Sequence, residues 1–181
     1  MNKSLILALV AMLAAPAFAV DYSVGANSTL GFRADFQGEK FDGRFQRFDA
    51  TIRYDADDLA NSKFDVDIDL ASAVTGDSDR DESLPGKDFF HVAKFPKAHY
   101  TTTGFRRNGD TVIADGTLDL KGTSKPVSLV VKFAAYGDTA TLEVTTTLKR
   151  LDFDVGSGDY ADTSTIGNDV AVTGRLELTA K

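Results

Sequence analysis

The amino-acid sequence predicts an all-β fold: an eight-stranded antiparallel barrel with short helical segments over one mouth. Three observations predict it. Apolar and polar residues alternate at period two along most of the chain, the mark of strands with one buried face, and no long amphipathic helix comes between them. The alternating runs number about eight, several of them near ten residues long, and turn chemistry separates them. Consecutive runs of that kind read as a sandwich or an up-and-down barrel, and eight long strands make a barrel of the size that can hold one small ligand. One sizeable segment, Thr75–Pro96, breaks the pattern, as a cover over one opening would.

The chain begins with Met1–Asn2–Lys3, then an apolar run from Leu5 to Ala15, then Ala17–Phe18–Ala19. A positive start, a short apolar stretch and a small-x-small site predict a signal peptide over residues 1–19, with the mature chain starting at Val20. The run is shorter than the roughly 20 residues a membrane span needs. One domain is expected over residues 20–181. The whole chain has 20 Lys and Arg against 27 Asp and Glu; removal of residues 1–19 takes away Lys3 alone, so net charge moves from −7 to −8. That charge argues against nucleic acid and anionic headgroup surfaces as bulk partners. There is no cysteine, which excludes thiol catalysis, zinc thiolates and iron–sulfur clusters.

The first predicted strand alternates Leu30, Phe32, Ala34 and Phe36 with Gly31, Arg33 and Asp35, and Gln37–Gly38–Glu39 turns it. Phe41, Gly43 and Phe45 follow. A phase change near Arg47 leads to Phe48, Ala50, Ile52 and Tyr54, which predicts a bulge or bend. Phe64, Val66, Ile68 and Leu70 alternate with Asp65, Asp67 and Asp69. Three aspartates on one strand face stand about 7 Å apart, so a solvated face is expected rather than a metal site.

In Thr75–Pro96 charged residues crowd into Asp77–Glu82, and Phe89, Phe90, Val92 and Phe95 follow. The spacing predicts two short helical pieces joined around Leu84–Pro85–Gly86 and stopped at Pro96. Strands resume through Ala98, Tyr100, Thr102 and Phe105. Asn108–Gly109 is a strong hairpin signal. Val112 to Leu120, Val127 to Phe133, Ala140 to Leu148 and Val170 to Leu178 complete the set, with a Gly/Asp-rich loop over about Asp152 to Asn168.

Catalytic patterns are missing. His91 and His99 belong to no helix-spaced metal pair, and no G-x-S-x-G elbow is present. Gly156–Ser164 is glycine-rich but no helix pattern follows it to cradle a phosphate. The expectation is no enzyme, no catalytic residue, no metal and no cofactor. The aromatic inventory is more informative, with 13 Phe and no Trp. Phe32, Phe36, Phe41, Phe45, Phe48, Phe64 and Ile68 fall at inward positions, and Phe89, Phe90 and Phe95 fall in the cover. Together they are the candidate lining of an apolar cavity, the rival reading being a solid Phe-rich core. Arg80, Lys87 and Lys94 are the cations of the cover that could meet a polar head; for Arg80 an ion pair with Asp77 or Asp81 is the alternative.

Five stretches in order, Gly43–Phe48, Thr75–Leu84, Asp88–Pro96, Gly116–Val127 and Arg150–Phe153, together resemble the YceI-like, polyisoprenoid-binding family of secreted bacterial proteins, and the resemblance covers essentially all of the mature chain. Gly43–Arg44–Phe45 with Phe48 resembles that family's G-x-F-x-x-F strand. Thr75–Gly76, Arg80–Asp81 and Leu84 resemble its T-G…R-D-x-x-L segment, and Asp88–Phe89–Phe90, Val92 and Phe95–Pro96 its D-F-F-x-V-x-x-[YF]-P signature. Gly116, Leu118, Leu120, Gly122 and Thr123 with Lys125–Pro126–Val127 resemble its G-x-L-x-[IL]-x-G-x-x-K-P-V turn, and Arg150, Asp152 and Phe153 its R-x-D-F stretch. The resemblance implies a lipocalin-like barrel that holds an isoprenoid or similar amphiphilic lipid, a quinone among the candidates, in the periplasm of a Gram-negative bacterium, without catalysis or stable membrane insertion. Asn27–Ser28 stands where the family often has His-Ser, and a histidine common later on that strand is missing near Asp35, which leaves any head-group role of those histidines without a carrier here. A second reading is a stress-linked interaction module with a filled core that binds a protein partner such as a membrane redox protein. A homodimer is left open.

Overall fold

The computed structural model describes residues 19–181, so the predicted signal peptide lies outside the described residues apart from its last position. Eleven strands form one antiparallel sheet: β1 (Val20–Val24), β2 (Thr29–Phe36), β3 (Glu39–Phe45), β4 (Phe48–Tyr54), β5 (Lys63–Asp69), β6 (Ala73–Val74), β7 (Lys97–Asn108), β8 (Thr111–Leu120), β9 (Thr123–Tyr136), β10 (Thr139–Lys149) and β11 (Asp169–Ala180). β1 pairs with both β4 and β11, which closes the sheet on itself.

The eleven segments make eight barrel strands, three of which are broken. β1 and β2 are one strand interrupted at Gly25–Ser28, since β11 pairs with β2 over Ala171–Arg175 and with β1 over Leu178–Ala180. β3 and β4 are one strand interrupted at Gln46–Arg47, paired with β2 and β1 in turn. β5 and β6 are a third, broken by the turn Leu70–Ser72. The predicted eight-stranded barrel is therefore the fold. The bend near Arg47 falls where the phase change placed it. β1 was not among the predicted runs; three alternating residues, Val20, Tyr22 and Val24, make too short a pattern to stand out.

Tight hairpins join the strands. Gln37–Gly38 and Lys121–Gly122 both have positive φ at their two central positions, the geometry that matches strand twist across a two-residue turn.

The apolar faces collect in two clusters. At the end of the Asn108 and Gly137 hairpins, Tyr54, Phe64, Phe105 and Phe133 pack with Tyr22, Ile52, Leu142 and Leu178. The Phe64 and Phe105 rings meet edge to face at 4.9 Å, and the Tyr54 and Phe133 rings lie tilted at 4.7 Å. This aromatic plug fills that end. At the other end Leu70, Tyr100, Leu118 and Val127 pack with Phe90, Phe153 and Val155 from the two loops that cross the mouth.

The first mouth loop, Thr75–Pro96, departs from the prediction in its second half. Its first piece is helical, α1 (Ser78–Ser83), capped by the Asp77 carboxylate, which accepts from the Arg80 N–H at 3.0 Å. The second piece is not a helix but a set of turns. Pro85 and Gly86 precede it, and His91 takes φ 51°, a left-handed conformation that ends any right-handed helix. Only one α-like turn survives, Phe95 N–H to the His91 carbonyl at 2.9 Å.

Candidate functional site

Alternation along β2, β3, β10 and β11 turns one set of side chains into the barrel, and register sets them in rows. Val144, Gly174, Leu30 and Phe45 are cross-strand neighbours in the first row. Thr146, Val172, Phe32 and Gly43 make the second. Leu148 with Val170, and Ala34 with Phe41, lie beyond it toward the mouth. Apart from Gly174 every one of them is only half-buried.

That exposure is the informative feature. Residues of the same inward set lower on the same strands are sealed: Leu142 is 1% exposed and Leu178 is 2%. The half-exposed rows face the same interior, and the protein covers them only in part. The result is an apolar inner wall, phenyl and aliphatic with one hydroxyl from Thr146, in the half of the barrel next to the mouth. Such a surface offers dispersion and hydrophobic contact and no charge.

The predicted lining divides across the molecule. Phe32, Phe41 and Phe45 stand on this wall, with Phe32 and Phe45 rings 5.5 Å apart. Phe90 covers it from the mouth loop, 8% exposed and 5.9 Å from the Phe45 ring. Phe36 lies at the rim, 39% exposed, bridged to Ile166 of the second mouth loop. Phe89 stacks on Tyr160 at 5.0 Å and so joins the two mouth loops. Phe95 packs over Gly122, where a Cβ would stand 2.7 Å from its ring, and pins the loop to the β8–β9 turn. Ile68 packs beneath the mouth cluster. Phe48 is half-buried beside the break in its strand, and Phe64, 2% exposed, lies inside the aromatic plug.

Of the three candidate cations, Arg80 alone meets the wall: its guanidinium lies 4.4 Å from the Phe41 ring centroid. It also pairs with Asp77 at 3.6 Å, the structural role foreseen as its alternative. Lys87 and Lys94 are exposed, and Lys94 lies over the outer Phe95 ring at 5.0 Å.

Polar bonds hold the mouth loops. Arg150 is 5% exposed and donates to five backbone carbonyls, those of Val155, Gly156, Tyr160, Ile166 and Gly167. Burial lowers its pKa from the ordinary arginine value. The Lys121 ammonium donates to the carbonyls of Asp88 and Asp154, one from each loop, at 3.2 and 2.5 Å. The Asp81 carboxylate accepts from the Thr75 N–H and hydroxyl at 2.6 and 2.7 Å, and the hydroxyl holds it below the usual carboxylate range. Inside, the Tyr100 hydroxyl donates to the Ala114 carbonyl at 3.2 Å, and burial pushes its pKa well above the ordinary phenol value.

On the outer face, Asp65, Asp67 and Asp69 have cationic partners. His99 Nδ1 lies 2.9 Å from Asp67, Lys97 3.6 Å from Asp67, Lys63 3.4 Å from Asp65 and Arg47 2.9 Å from Asp69. The residues that sequence reasoning missed are Val144, Thr146, Leu148, Val170 and Val172. Alternation marks them as inward, but which inward positions are left unfilled depends on what stands across the barrel.

A closed eight-stranded antiparallel barrel, plugged at one end and covered at the other by two tied loops, defines the class. Within that class the YceI-like domain family matches residues 21–178, and the chain belongs to it. Protein YceI of Escherichia coli O17:K52:H18 is 35% identical over 145 residues, which is 76% of each chain. BcnA of Burkholderia cenocepacia superposes with a TM-score of 0.81 at 27% identity, covering 86% of this chain and 99% of that one. A polyisoprenoid-binding domain from Saccharophagus degradans shares the fold, with a TM-score of 0.66 at 18% identity over 91% of this chain and all of that one.

Proposed function

We propose that the protein binds the long apolar tail of an isoprenoid or similar amphiphilic lipid against the half-exposed inner wall, and carries it in the periplasm. The observation that supports this most is the wall itself: contiguous rows of inward apolar side chains that the protein covers only in part. A saturated CH₂ moved from water onto such a surface gains about 0.8 kcal/mol. A tail of a few isoprene units therefore offsets association costs of about 4–15 kcal/mol without any polar contact. The lining set for this reading is Phe32, Phe41, Phe45 and Phe90 with Leu30, Val144, Leu148 and Val172. Arg80, over Phe41 at the rim, is the cation placed to meet a head group.

The competing reading, a filled core that recruits a protein partner, predicts sealed inward residues throughout, and the wall runs against it. The test is native mass spectrometry and lipid extraction of protein purified from the periplasm of its own host. A bound lipid with a long apolar tail is the expected result, with the mature chain starting at Val20. A barrel that is consistently empty, or a mature protein recovered from the cytoplasm, would count against the carrier.

A further inference from the structure

Around most of the barrel, neighbouring strands are laced by backbone hydrogen bonds, but the ladder between β9 and β10 stops short. It runs from the hairpin to the pair Val130–Thr145 and goes no further. β9 continues toward the mouth as Thr123–Leu129, paired only with β8, and β10 continues as Thr146–Lys149, paired only with β11. Between them lies a cleft of about 340 Å³ in the barrel wall. Pro126 stands on its rim. Proline has no N–H to give a ladder, so it suits a strand side that faces no partner.

We propose that this slit is the portal through which the lipid tail passes to and from the interior. The proposal rests on the lipid-binding reading above. Thr146 and Leu148 line the slit and also belong to the half-exposed inner wall, so the slit borders that wall. Phe153, 3% exposed, and Val127 form its floor and close it in this state. One ion pair crosses it, Lys125 of β9 to Asp152 beyond β10, at 3.8 Å between half-exposed side chains.

Opening the wall between strands that are paired along their length breaks a run of ladder bonds. Opening the mouth breaks the Arg150 and Lys121 sets and unseats Phe90 and Phe95. Widening the slit breaks no ladder bond, because none is formed there; it needs only the Lys125–Asp152 pair and the Phe153 side chain to give. A second cleft, about 730 Å³, lies where β1 leaves β4, but a charged set of Asp49, Asp65, Asp67 and Asp69 with Arg47 and Lys97 rims it, and Phe48 and Ala50 behind it pack against the plugged end. A rim of charged groups is the poorer path for an apolar chain.

The protein has no cysteine, so introduced thiols have no rivals. Ser128 and Thr147 are exposed, line the slit on opposite strands and would be partners if the ladder continued. The experiment bridges a Ser128→Cys/Thr147→Cys variant, after folding, with a short bismaleimide. Uptake and release of a C16 fatty acid carrying an anthroyloxy fluorophore are then followed by stopped flow, with the unbridged variant as reference. A second variant, Asp88→Cys/Ser157→Cys, ties the two mouth loops where the Gly156 N–H already donates to the Asp88 carbonyl at 2.7 Å.

The slit bridge is expected to slow uptake and release at least tenfold with little change in the equilibrium constant, and the mouth bridge to leave both rates within twofold. Unchanged rates in the slit-bridged protein, or slowing by the mouth bridge alone, would overturn the portal while leaving the lipid reading intact. No probe binding by wild type, with a native melting transition, would overturn the lipid reading and the portal with it.

Discussion

The ring of Phe32 lies over the backbone of Gly43, its register partner across β2 and β3: a Cβ built on Gly43 would stand 2.2 Å from the ring Cζ. The glycine is thus the seat of a wall residue. Gly43→Ala leaves the ring nowhere to go but further into the interior. Overpacking of this kind costs about 1–3 kcal/mol, and the displaced ring occupies space the tail would use. The expected outcome is a modest fall in Tm with a larger loss of affinity for a long-chain probe, read by calorimetry and fluorescence titration. Unaltered affinity would place the tail away from Phe32.

Phe45 and Phe64 separate wall from plug. Phe64 is 2% exposed and packs on Tyr54 and Phe105, so Phe64→Ala should cost about 3–5 kcal/mol in urea unfolding. Half-buried Phe45 should cost clearly less as alanine, yet lose more of the probe affinity. Equal stability losses would mean that the wall is packed as tightly as the plug.

Arg150 organises the second mouth loop through five carbonyls. Arg150→Met removes every one of those donors and leaves the buried acceptors of Val155 and Gly156 unpaired, with three part-buried ones beside them. Each orphaned buried group costs about 1–3 kcal/mol, and the loop can recover part by taking on water, so a net loss of about 3–5 kcal/mol is expected. Arg150→Lys should fall in between, because an ammonium reaches fewer of those directions. Hydrogen exchange should show the loss concentrated in residues 154–168; a loss spread evenly over the barrel would contradict the local role.

The Thr75–Asp81 bond makes the first mouth loop acid-sensitive. Asp81 titrates below the usual carboxylate range because the Thr75 hydroxyl donates to it. A depressed carboxyl contributes stability that is present above its unfolded value and lost as pH falls through the folded one. Thr75→Val removes the hydroxyl, so the loop should loosen at a higher pH than in wild type, with no difference between the two proteins in acid, once Asp81 is protonated in both. Proteolysis within residues 75–96 across an acid titration measures this. Identical acid midpoints would show that the hydroxyl does not set the titration.

Much of the barrel could be read from period two and turn residues, because strand faces and hairpins are written locally: Phe64, Val66 and Ile68 against their aspartates, or Asn108–Gly109 at its turn. The bend near Arg47 was visible as a change of phase. The turns of Phe89–Phe95 were not, since apolar spacing alone does not separate a short helix from a chain that His91 reverses. The site was half legible. Phenylalanine type pointed to Phe32, Phe41 and Phe45, but the same residue type placed Phe64 among them, and alternation marked Val144, Val170 and Val172 as inward without marking them as lining. Whether an inward side chain is sealed or left facing open space is a property of residues far apart in sequence.

The pairing of β1 with β11 has a further consequence, for the order of assembly. Lys181 donates its N–H to the carbonyl of Asp21, so the two extremes of the folded domain are stitched side by side. The seam cannot be drawn shut until β11, Asp169–Ala180, is in place. Until then the nascent chain is an open sheet with two raw edges. It commits to its closed shape only once that strand has arrived.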